Sequence, residues 1–253
     1  MEEYEIIMLE QTDSTSSYVA RNTGSLRHGA VVAAVSQTEG RGQRGNSWEA
    51  SPGLNVTMSM LLRPGSLPVA RSFGLSEAVA LAVCDTVADT TVGEIAAVIK
   101  WPNDIYVGDR KIAGILIENA LNGSMVGRSI VGIGLNVNQP QFVSDAPNPV
   151  SLRQLTGRDY SVSDVLETLA ANVMRRLRQL EAAGAGALHT EYMSRLWRGE
   201  GMHPFVETAT GERFEASVHG VAPTGHITLL TASGALRTYA FKEVAWPLEA
   251  TSR

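Results

Sequence analysis

The alternation of hydrophobic and polar positions predicts strands in the N-terminal quarter of the chain. Residues 4–11, 30–36 and 56–62 form apolar runs of strand length, and the last two are expected to be buried. Between those two runs, residues 40–45 hold glycine or arginine at five of six positions. The loop that joins the two buried strands is therefore the first candidate for binding chemistry.

From residue 98 onwards, apolar runs separated by tight turns predict consecutive antiparallel strands. Gly108-Asp109 and Asn122-Gly123 are strong hairpin signals. The strands around the first turn are predicted at residues 98–101, 104–107 and 111–118, and SIVGIGLNVN follows the second turn. Because hairpins join antiparallel neighbours, we expect a meander rather than crossover units.

Helical periodicity predicts an amphipathic helix at residues 70–89, and Asp13 or Ser14 is expected to cap a short helix after the first strand. Later helices are predicted at residues 151–156, 163–182 and 188–197, with a Gly/Ala break at residues 183–187. Residues 139–150 carry three prolines and are expected to form a mobile loop. From residue 202 onwards, short strands and frequent turns predict a small all-β, barrel-like unit.

The composition of the 253 residues is that of an ordinary globular enzyme, and a net charge of −5 argues against bulk nucleic-acid binding. The one cysteine, Cys84, excludes an internal disulfide, suits a reducing cytoplasm and lies in a helical pattern where a packing role is expected. The five histidines are too dispersed for a zinc site. The acidic N-terminus lacks the pattern of a signal peptide and no run has the length of a membrane helix, so we expect a cytoplasmic protein without a membrane partner.

The loop at residues 40–45 matches the dinucleotide fingerprint G-x-G-x-x-G, but its context excludes a Rossmann site. Pro52-Gly53 prevents the required helix, and no acidic residue occurs between Leu54 and Arg71. What remains is a flexible loop whose backbone N–H groups and arginines suit an anion, or a basic hairpin tip in water. The loop alone leaves both readings open.

Three further segments suggest a ligand site. Lys100 ends a buried strand, where a lysine is costly without an anionic partner, although a surface lysine is the alternative. Gly132 and Gly134 lie late in another strand, where missing side chains admit a ligand or form a bulge. Asn136 follows with an amide that could bind a purine or a hydroxyl group.

Four segments resemble the motifs of the biotin–protein ligases. In chain order they are DSTSS, GRGQRGNSW, KWPNDIYVGDRKIAGILIE and GIGLNVN. The ordered set is specific and, with the C-terminal β pattern, extends the resemblance to nearly the whole chain. The resemblance implies an α/β (α+β) fold, with a mixed, largely antiparallel sheet and helices packed on it. It also implies a catalytic domain over residues 1–200 and an SH3-like β-barrel domain over residues 201–253.

The activity that this resemblance implies is a two-step ligation. The carboxylate of biotin attacks the α-phosphate of Mg-ATP, which gives biotinoyl-5'-AMP and pyrophosphate. A lysine on the biotin carboxyl carrier domain of acetyl-CoA carboxylase, or of another biotin-dependent carboxylase, then attacks the mixed anhydride. ATP, Mg2+ and biotin are thus the implied ligands, and fixed cations and backbone donors would stabilise the negative charge of both transition states.

The resemblance assigns roles residue by residue. Lys100 and Arg41 would be catalytic, with Lys100 bridging the biotin carboxylate and the α-phosphate. The implied biotin-binding residues are Ser14, Thr15, Ser16, Gln37, Gly40, Arg41, Gly42, Gln43, Lys100, Gly132 and Gly134. The implied nucleotide-binding residues are Arg44, Trp48, Lys111 and Asn136. No residue is assigned to a metal; Asp104 is expected mainly to shape its turn, with a magnesium ligand as the lesser alternative.

The chain departs from the family's commonest loop, GRG-R-x-G-R-x-W, because Gln43 and Asn46 replace two arginines. Phosphate binding would then depend on the remaining cations or more on magnesium, and we expect looser retention of the adenylate. Ser16 replaces the family's third contact residue, an asparagine. The motifs begin at Asp13, without room for the winged-helix domain of relatives that are also repressors, so no DNA partner is expected. A homodimer, a lipoate-type acyl-carrier ligase and a non-catalytic biotin-binding regulator remain open.

Overall fold

A seven-stranded mixed sheet forms the centre of the molecule in the computed structural model, which describes residues 4–143, 148–183 and 185–247. The strand order is β1-β2-β3-β7-β6-β5-β4. The strands are β1 (Glu5–Thr12), β2 (Ala30–Gln37), β3 (Val56–Leu62), β4 (Val98–Lys100), β5 (Asp104–Val107), β6 (Arg110–Asn122) and β7 (Met125–Leu135). Both predicted hairpins are confirmed, since β5 pairs with β6 and β6 with β7 in antiparallel registers.

A crossover joins the first two strands, outside the segment from residue 98 onwards for which a meander is predicted. β1 and β2 are parallel neighbours, and helix α1 (Thr15–Arg21) connects them. Ser14 caps this helix as expected, because its hydroxyl accepts a hydrogen bond from the Ser17 N–H. All other neighbouring strands of the sheet, in the order β2-β3-β7-β6-β5-β4, pair in antiparallel registers. The predicted mixed, largely antiparallel fold is therefore confirmed.

Helices cover both faces of the sheet. The larger layer consists of α2 (Phe73–Thr90), α4 (Val162–Ala183) and α5 (Ala185–Ser194). The short helix α3 (Leu152–Thr156) precedes α4 in the chain. The other face carries α1, whose Val19 packs with Leu61 and Ile130 in a separate cluster. Side chains alternate across a strand, so Met58 and Met60 join the large core while Thr57 and Ser59 point towards the α1 side.

Helix α2 is not amphipathic, contrary to the prediction. It contacts α4, α5 and strands β4 to β6, and side chains on all its sides are buried. Cys84 is 2% exposed, and burial raises the pKa of its thiol to about 12, in keeping with the packing role expected for it. A helix between a sheet and a second helical layer has no solvent face, which a period-based prediction could not anticipate.

A second, five-stranded antiparallel sheet follows, in the order β11-β10-β9-β8-β12. Its strands are β8 (His203–Glu207), β9 (Arg213–Val221), β10 (Ile227–Thr231), β11 (Leu236–Tyr239) and β12 (Val244–Ala245). Within the described residues the edge strands β11 and β12 do not pair, so this SH3-like unit does not close into a barrel. The proposed domain boundary at residues 200 and 201 stays a prediction.

Aromatic side chains join the two sheets. Trp101 contacts Phe241 and Trp246 at ring-centroid distances of 5.2 and 6.1 Å, and its indole N–H donates to the Gly225 carbonyl. Trp197 contacts Trp246 from the opposite side. The second sheet is thus packed against the segment that carries Lys100, and this contact positions it over one side of the site described below.

Two predicted features fall partly outside the described residues. The proline-bearing loop at residues 139–150 includes residues 144–147, and the break at residues 183–187 includes Gly184. Among the described helices, none combines the length and the apolar character that crossing a membrane requires.

Candidate active site

A cavity of about 1030 Å3 opens on the α1 side of the central sheet. Its floor consists of small residues that lie side by side on the three middle strands. Gly134 is opposite both Thr57 and Gly114, and Gly132 is opposite Ser59 in the register. Because these positions carry little or no side chain, the backbone of the sheet is accessible from above. The walls come from α1, the glycine-rich loop, the β4–β6 segments and the second sheet.

The glycine-rich loop folds back on itself as a small hairpin. Trp48 N–H donates to the Gly40 carbonyl, and Gly42 N–H donates to the Asn46 carbonyl, with a 3-10 turn at Gln43–Gly45. A Cβ on Gly40 would come within 2.6 Å of the Trp48 carbonyl oxygen, so only glycine allows this close approach. Gly40 lies behind the cavity wall, where it shapes the loop; its predicted contact with a ligand stays a prediction.

Trp48 lies flat over the floor of the cavity. A Cβ on Gly134 would overlap the indole ring, and one on Gly114 would come within 3.0 Å of it. The ammonium of Lys111 is 5.7 Å from the ring centroid, and it also forms an ion pair of 2.7 Å with Asp104. The indole Nε1 of Trp48 is buried and has no hydrogen-bond partner in the described chain. This end of the cavity therefore offers an aromatic face, a cation and a donor without a partner.

The opposite end is polar but uncharged. Thr15 N–H donates to Gln37 Oε1 at 2.8 Å, and its hydroxyl lies 2.8 Å from the hydroxyl of Ser59. Ser16 Oγ is 2.9 Å from the same Ser59 oxygen. Ser14, Thr15 and Ser16 are all almost fully buried, so the start of α1 presents fixed donors and acceptors to the cavity. Such a lining suits an uncharged polar group, for example a cyclic urea.

Lys100 is the last residue of β4 and lies on the wall of the same cavity. Its ammonium donates to the Tyr106 hydroxyl at 3.0 Å and lies 4.9 and 5.5 Å from the ring centroids of Tyr106 and Trp197. Burial lowers the pKa of Lys100, with Lys111 adding to the effect, while the charge of Asp104 opposes it. No ion pair joins Lys100 to a carboxylate within the described residues. A half-buried ammonium of this kind is a strong site for an anion.

Three further residues predicted from the sequence are Arg41, Asn136 and Arg44. Arg41 forms a bidentate pair with Glu118, with distances of 3.1 and 2.8 Å, at the edge of the cavity. Asn136 is buried and donates its amide to the Val150 carbonyl, which leaves its Oδ1 without a partner in the described chain. The backbone of Arg44 lies at the tip of the loop, and its side chain is outside the described atoms. The cavity wall therefore carries an acceptor without a partner, Asn136 Oδ1, and a guanidinium, Arg41, that is paired with Glu118.

Most of the residues singled out from the sequence are brought together here. The cavity is lined by Ser14, Thr15, Ser16, Gln37, Arg41, Gly42, Gln43, Trp48, Lys100, Lys111, Gly132, Gly134 and Asn136. Their roles stay predictions. Sequence reasoning missed Thr57 and Ser59, although polar residues alternate there with Met58 and Met60. It also missed the wall contributed by the second sheet, which has no local signal.

The cavity has few candidate metal ligands. In the described part of the chain no three His, Cys, Asp or Glu side chains cluster in a metal-binding arrangement. The carboxylates on the wall are Glu49 and Asp104, and Asp104 is already paired with Lys111. One or two carboxylates suit a magnesium ion that arrives on the phosphates of a nucleotide, rather than a resident metal.

Comparisons with known proteins agree with this geometry. The model of the biotin/lipoate A/B protein ligase family matches residues 8–136. The biotin–[acetyl-CoA-carboxylase] ligase of Paracoccus denitrificans is 32% identical over 234 residues, 90% of this chain and 95% of that protein. The structure of the biotin protein ligase from Aquifex aeolicus in complex with biotin and ATP is similar in fold, with a TM-score of 0.77 at 23% identity over 95% of this chain and 97% of that one. A ligase from Leishmania major in complex with biotinyl-5-AMP gives a TM-score of 0.64 at 22% identity, over 93% and 98% of the two chains.

Proposed function

The chain belongs to the biotin/lipoate A/B protein ligase family as a biotin–protein ligase, and from this premise we propose that it attaches biotin to one lysine of a biotin carboxyl carrier domain through biotinoyl-5'-AMP. The observation that carries the proposal is the position of Lys100. Its ammonium, which has no carboxylate partner among the described residues, shares one cavity with an uncharged, hydroxyl-lined end and an aromatic, amide-bearing end. That combination suits an acid whose carboxylate must meet the α-phosphate of ATP.

Biotin would bind at the end formed by α1 and the glycine floor. The hydroxyls of Thr15 and Ser16 and the amide of Gln37 could exchange hydrogen bonds with the ureido group. Gly132 lets α1 approach the floor closely, since a Cβ on it would lie 2.7 Å from Ser16 Oγ. The acyl chain would then run towards Lys100, with Arg41 and Gly42 of the loop above it.

ATP would bind at the opposite end as its magnesium complex. Trp48 offers a face for stacking with adenine, and the free Oδ1 of Asn136 offers an acceptor for its amino group. Lys111 is placed to contact phosphate oxygens, although its pair with Asp104 competes for the ammonium. The bound magnesium would supply charge neutralisation to the phosphates, and these side chains would hold the nucleoside.

In the first step, a carboxylate oxygen of biotin forms a bond with the α-phosphorus, and the bond from that phosphorus to the bridging β-phosphate oxygen breaks. Pyrophosphate leaves with the bonding electrons. Lys100 and Arg41 would stabilise the negative charge that gathers on the oxygens, because fixed cations in a partly buried site need no reorganisation. Keeping Lys100 protonated is therefore a requirement of the step.

In the second step, the neutral amine of the acceptor lysine attacks the acyl carbon of the adenylate. The acyl–oxygen bond breaks, AMP leaves, and the amine nitrogen loses a proton to solvent. No cysteine or histidine lies on the described wall of the cavity, and Cys84 is buried in the core. The acceptor's own amine would thus serve as the nucleophile in a direct transfer.

Three aspects of the biological setting remain part of the proposal. The carrier domain of acetyl-CoA carboxylase is the expected acceptor, by analogy with the name of the Paracoccus relative. A cytoplasmic location and the absence of a DNA partner stay predictions from composition. A homodimer is also part of the proposal, to be tested by measuring the oligomeric state.

The deciding experiment measures pyrophosphate release from Mg-ATP in the presence of biotin, lipoate or neither acid. We expect release with biotin alone, followed by a mass increase on an added carrier domain. Release with lipoate instead would assign the chain to the neighbouring branch of the family. Biotin binding without any pyrophosphate would favour a non-catalytic regulator.

A further inference from the structure

The chain uses lysine sparingly, and all of its lysines lie on the wall of the cavity. Of the 21 basic residues in the sequence, only Lys100, Lys111 and Lys242 are lysines, and the others are arginines. The cavity wall accounts for a small part of the chain, so random placement would seldom put all three there. Lys100 and Lys111 already have places in the proposed reaction. Lys242, from the second sheet, does not.

Lys242 is available for a ligand. Of the cations on the wall, Arg41 pairs with Glu118 and Lys111 with Asp104. The ammonium of Lys242 makes no hydrogen bond or ion pair within the described residues, and its side chain is exposed at the cavity rim. A compact ammonium with free donors suits the outer oxygens of a polyphosphate.

Aromatic packing fixes the place of Lys242 relative to Lys100. Lys100 precedes Trp101 in sequence and Lys242 follows Phe241, and these two rings meet edge-to-face at 5.2 Å. Gln43, at the tip of the glycine-rich loop, shares a smaller pocket with Phe241. Lys242 therefore lies near Lys100 along the cavity wall, on the side where the loop tip and the second sheet approach each other.

The backbone at Lys242 is held in an unusual conformation. Its φ is 68°, in the left-handed region that side chains other than glycine seldom adopt. Hydrogen bonds fix both sides of the turn, since Thr208 N–H donates to the Glu243 carbonyl and Ala240 N–H donates to Glu243 Oε2. Strain that is maintained in this way is frequent at ligand sites, and here it aims a lysine at the cavity.

We propose that Lys242 binds the two phosphates of ATP that leave as pyrophosphate, so that the second sheet takes part in adenylation. This inference rests on the proposed function. Lys100 would hold the α-phosphate and the carboxylate, and Lys242 the β- and γ-phosphates. The departing group would thus be oriented away from the biotin end, in line with the attack.

The test compares Lys242→Ala, Lys242→Arg and the wild type. Loss of one contact to a charged phosphate should weaken binding of a non-hydrolysable ATP analogue about tenfold, as measured by calorimetry. Binding of AMP, which lacks the outer phosphates, should not change. In pyrophosphate release, the KM for ATP should rise while the KM for biotin stays the same, and Lys242→Arg should restore most of the affinity. Arg213→Ala, which removes an exposed cation from the same sheet away from the cavity, is the matched control.

Every outcome of this test either supports or overturns the role proposed for Lys242. Unchanged affinity for the ATP analogue in an active Lys242→Ala enzyme would overturn it, as would equal losses for ATP and AMP, which indicate a general structural effect. A defect confined to transfer onto the carrier domain would also overturn it and assign Lys242 to carrier contact. Absence of pyrophosphate release in the wild type would instead overturn the proposed function, and this inference with it.

Discussion

The indole ring of Trp48 lies directly on Gly134, in the floor of the cavity. A Cβ at Gly134 would overlap the ring, and a Cβ at Gly114, its partner in the register of β6 and β7, would come within 3.0 Å of the same ring. The glycine-rich loop thus reaches the sheet through one tryptophan and two glycines. The position of the loop and the shape of the floor depend on each other.

Gly134→Ala is therefore expected to displace Trp48 and weaken nucleotide binding. The added methyl group has no room beneath the ring, so the loop must shift. We expect kcat/KM for ATP to fall by roughly tenfold or more, which corresponds to about 1.4 kcal/mol. Tryptophan fluorescence should report the changed environment of the indole. Gly220→Ala, a strand glycine whose Cβ would meet open space, is the control and should leave both measurements unaltered.

Ser59→Ala tests the hydroxyl cluster at the start of α1. The Ser59 hydroxyl lies within 2.9 Å of both Thr15 Oγ1 and Ser16 Oγ, and all three residues are buried. Removing it leaves two buried hydroxyls without this partner, at a cost of about 1–3 kcal/mol. If these hydroxyls bind biotin, its KM should rise about tenfold with little change in the KM for ATP.

The control for this change is Ser129→Ala. Ser129 is also a buried serine of the same sheet, and its hydroxyl donates to Asn119 Oδ1 away from the cavity. Its loss should lower thermal stability without affecting the KM for biotin. Equal KM values for biotin in the Ser59 variant and the wild type would contradict the assignment of the biotin end.

Local patterns in the sequence predict the strands and turns well. Asn122-Gly123 gives the tight turn between β6 and β7, with Gly123 at a φ of 60°, because that conformation needs glycine. Most of the motif residues lie around one cavity, and their roles stay predictions. Lys242 could not be found this way, because it reaches the cavity only through the contact of Phe241 with Trp101, which are remote in sequence. The burial of α2 on all sides likewise depends on α4 and α5, which its own periodicity does not contain.

Lys100→Met should abolish adenylation and at the same time stabilise the fold. The lowered pKa of Lys100 shows that burial favours its neutral form, so the stability that this group contributes is present at alkaline pH and is lost as pH falls through the lowered pKa. Near pH 7 the ammonium therefore reduces stability. We expect the variant to gain roughly 0.5–2 kcal/mol in urea unfolding. A stable, fully active Lys100→Met enzyme would disprove the assigned role.

The pH profile of the wild type gives an independent test of Lys100. Its ammonium must be charged to hold the carboxylate and phosphate oxygens, so adenylation should decline as pH rises towards its lowered pKa. The decline should begin below the usual lysine value of about 10.4. In Lys100→Arg the guanidinium does not titrate in this range, so whatever activity remains should lack that decline. An identical alkaline limb in both enzymes would show that another group controls it.

Asp85 is expected to be the most important ion-pairing residue for stability. It accepts hydrogen bonds from Arg175, Arg176 and Arg195, and so ties α2 to α4 and to the residue that follows α5. Burial raises the pKa of its carboxyl, but the hydrogen bonds and charges of the arginines outweigh that effect and hold the pKa below its usual value. Asp85→Asn removes a carboxylate partner from all three arginines and leaves Arg176 and Arg195 paired with Glu191 alone, so it should cost about 3 kcal/mol at pH 7.

The pH dependence of this loss follows from the direction of the shift. A carboxyl with a lowered pKa in the folded state contributes stability above its unfolded pKa of about 3.9, and this contribution is lost as pH falls through the folded pKa. In urea unfolding, the gap between the wild type and Asp85→Asn should therefore narrow below about pH 4. Glu94→Gln, which breaks an exposed pair with Arg158, is the control and should cost at most about 1 kcal/mol. A gap that stays constant between pH 7 and pH 3, or a control that loses as much stability, would show that the carboxylate charge of Asp85 is not what holds the helices together.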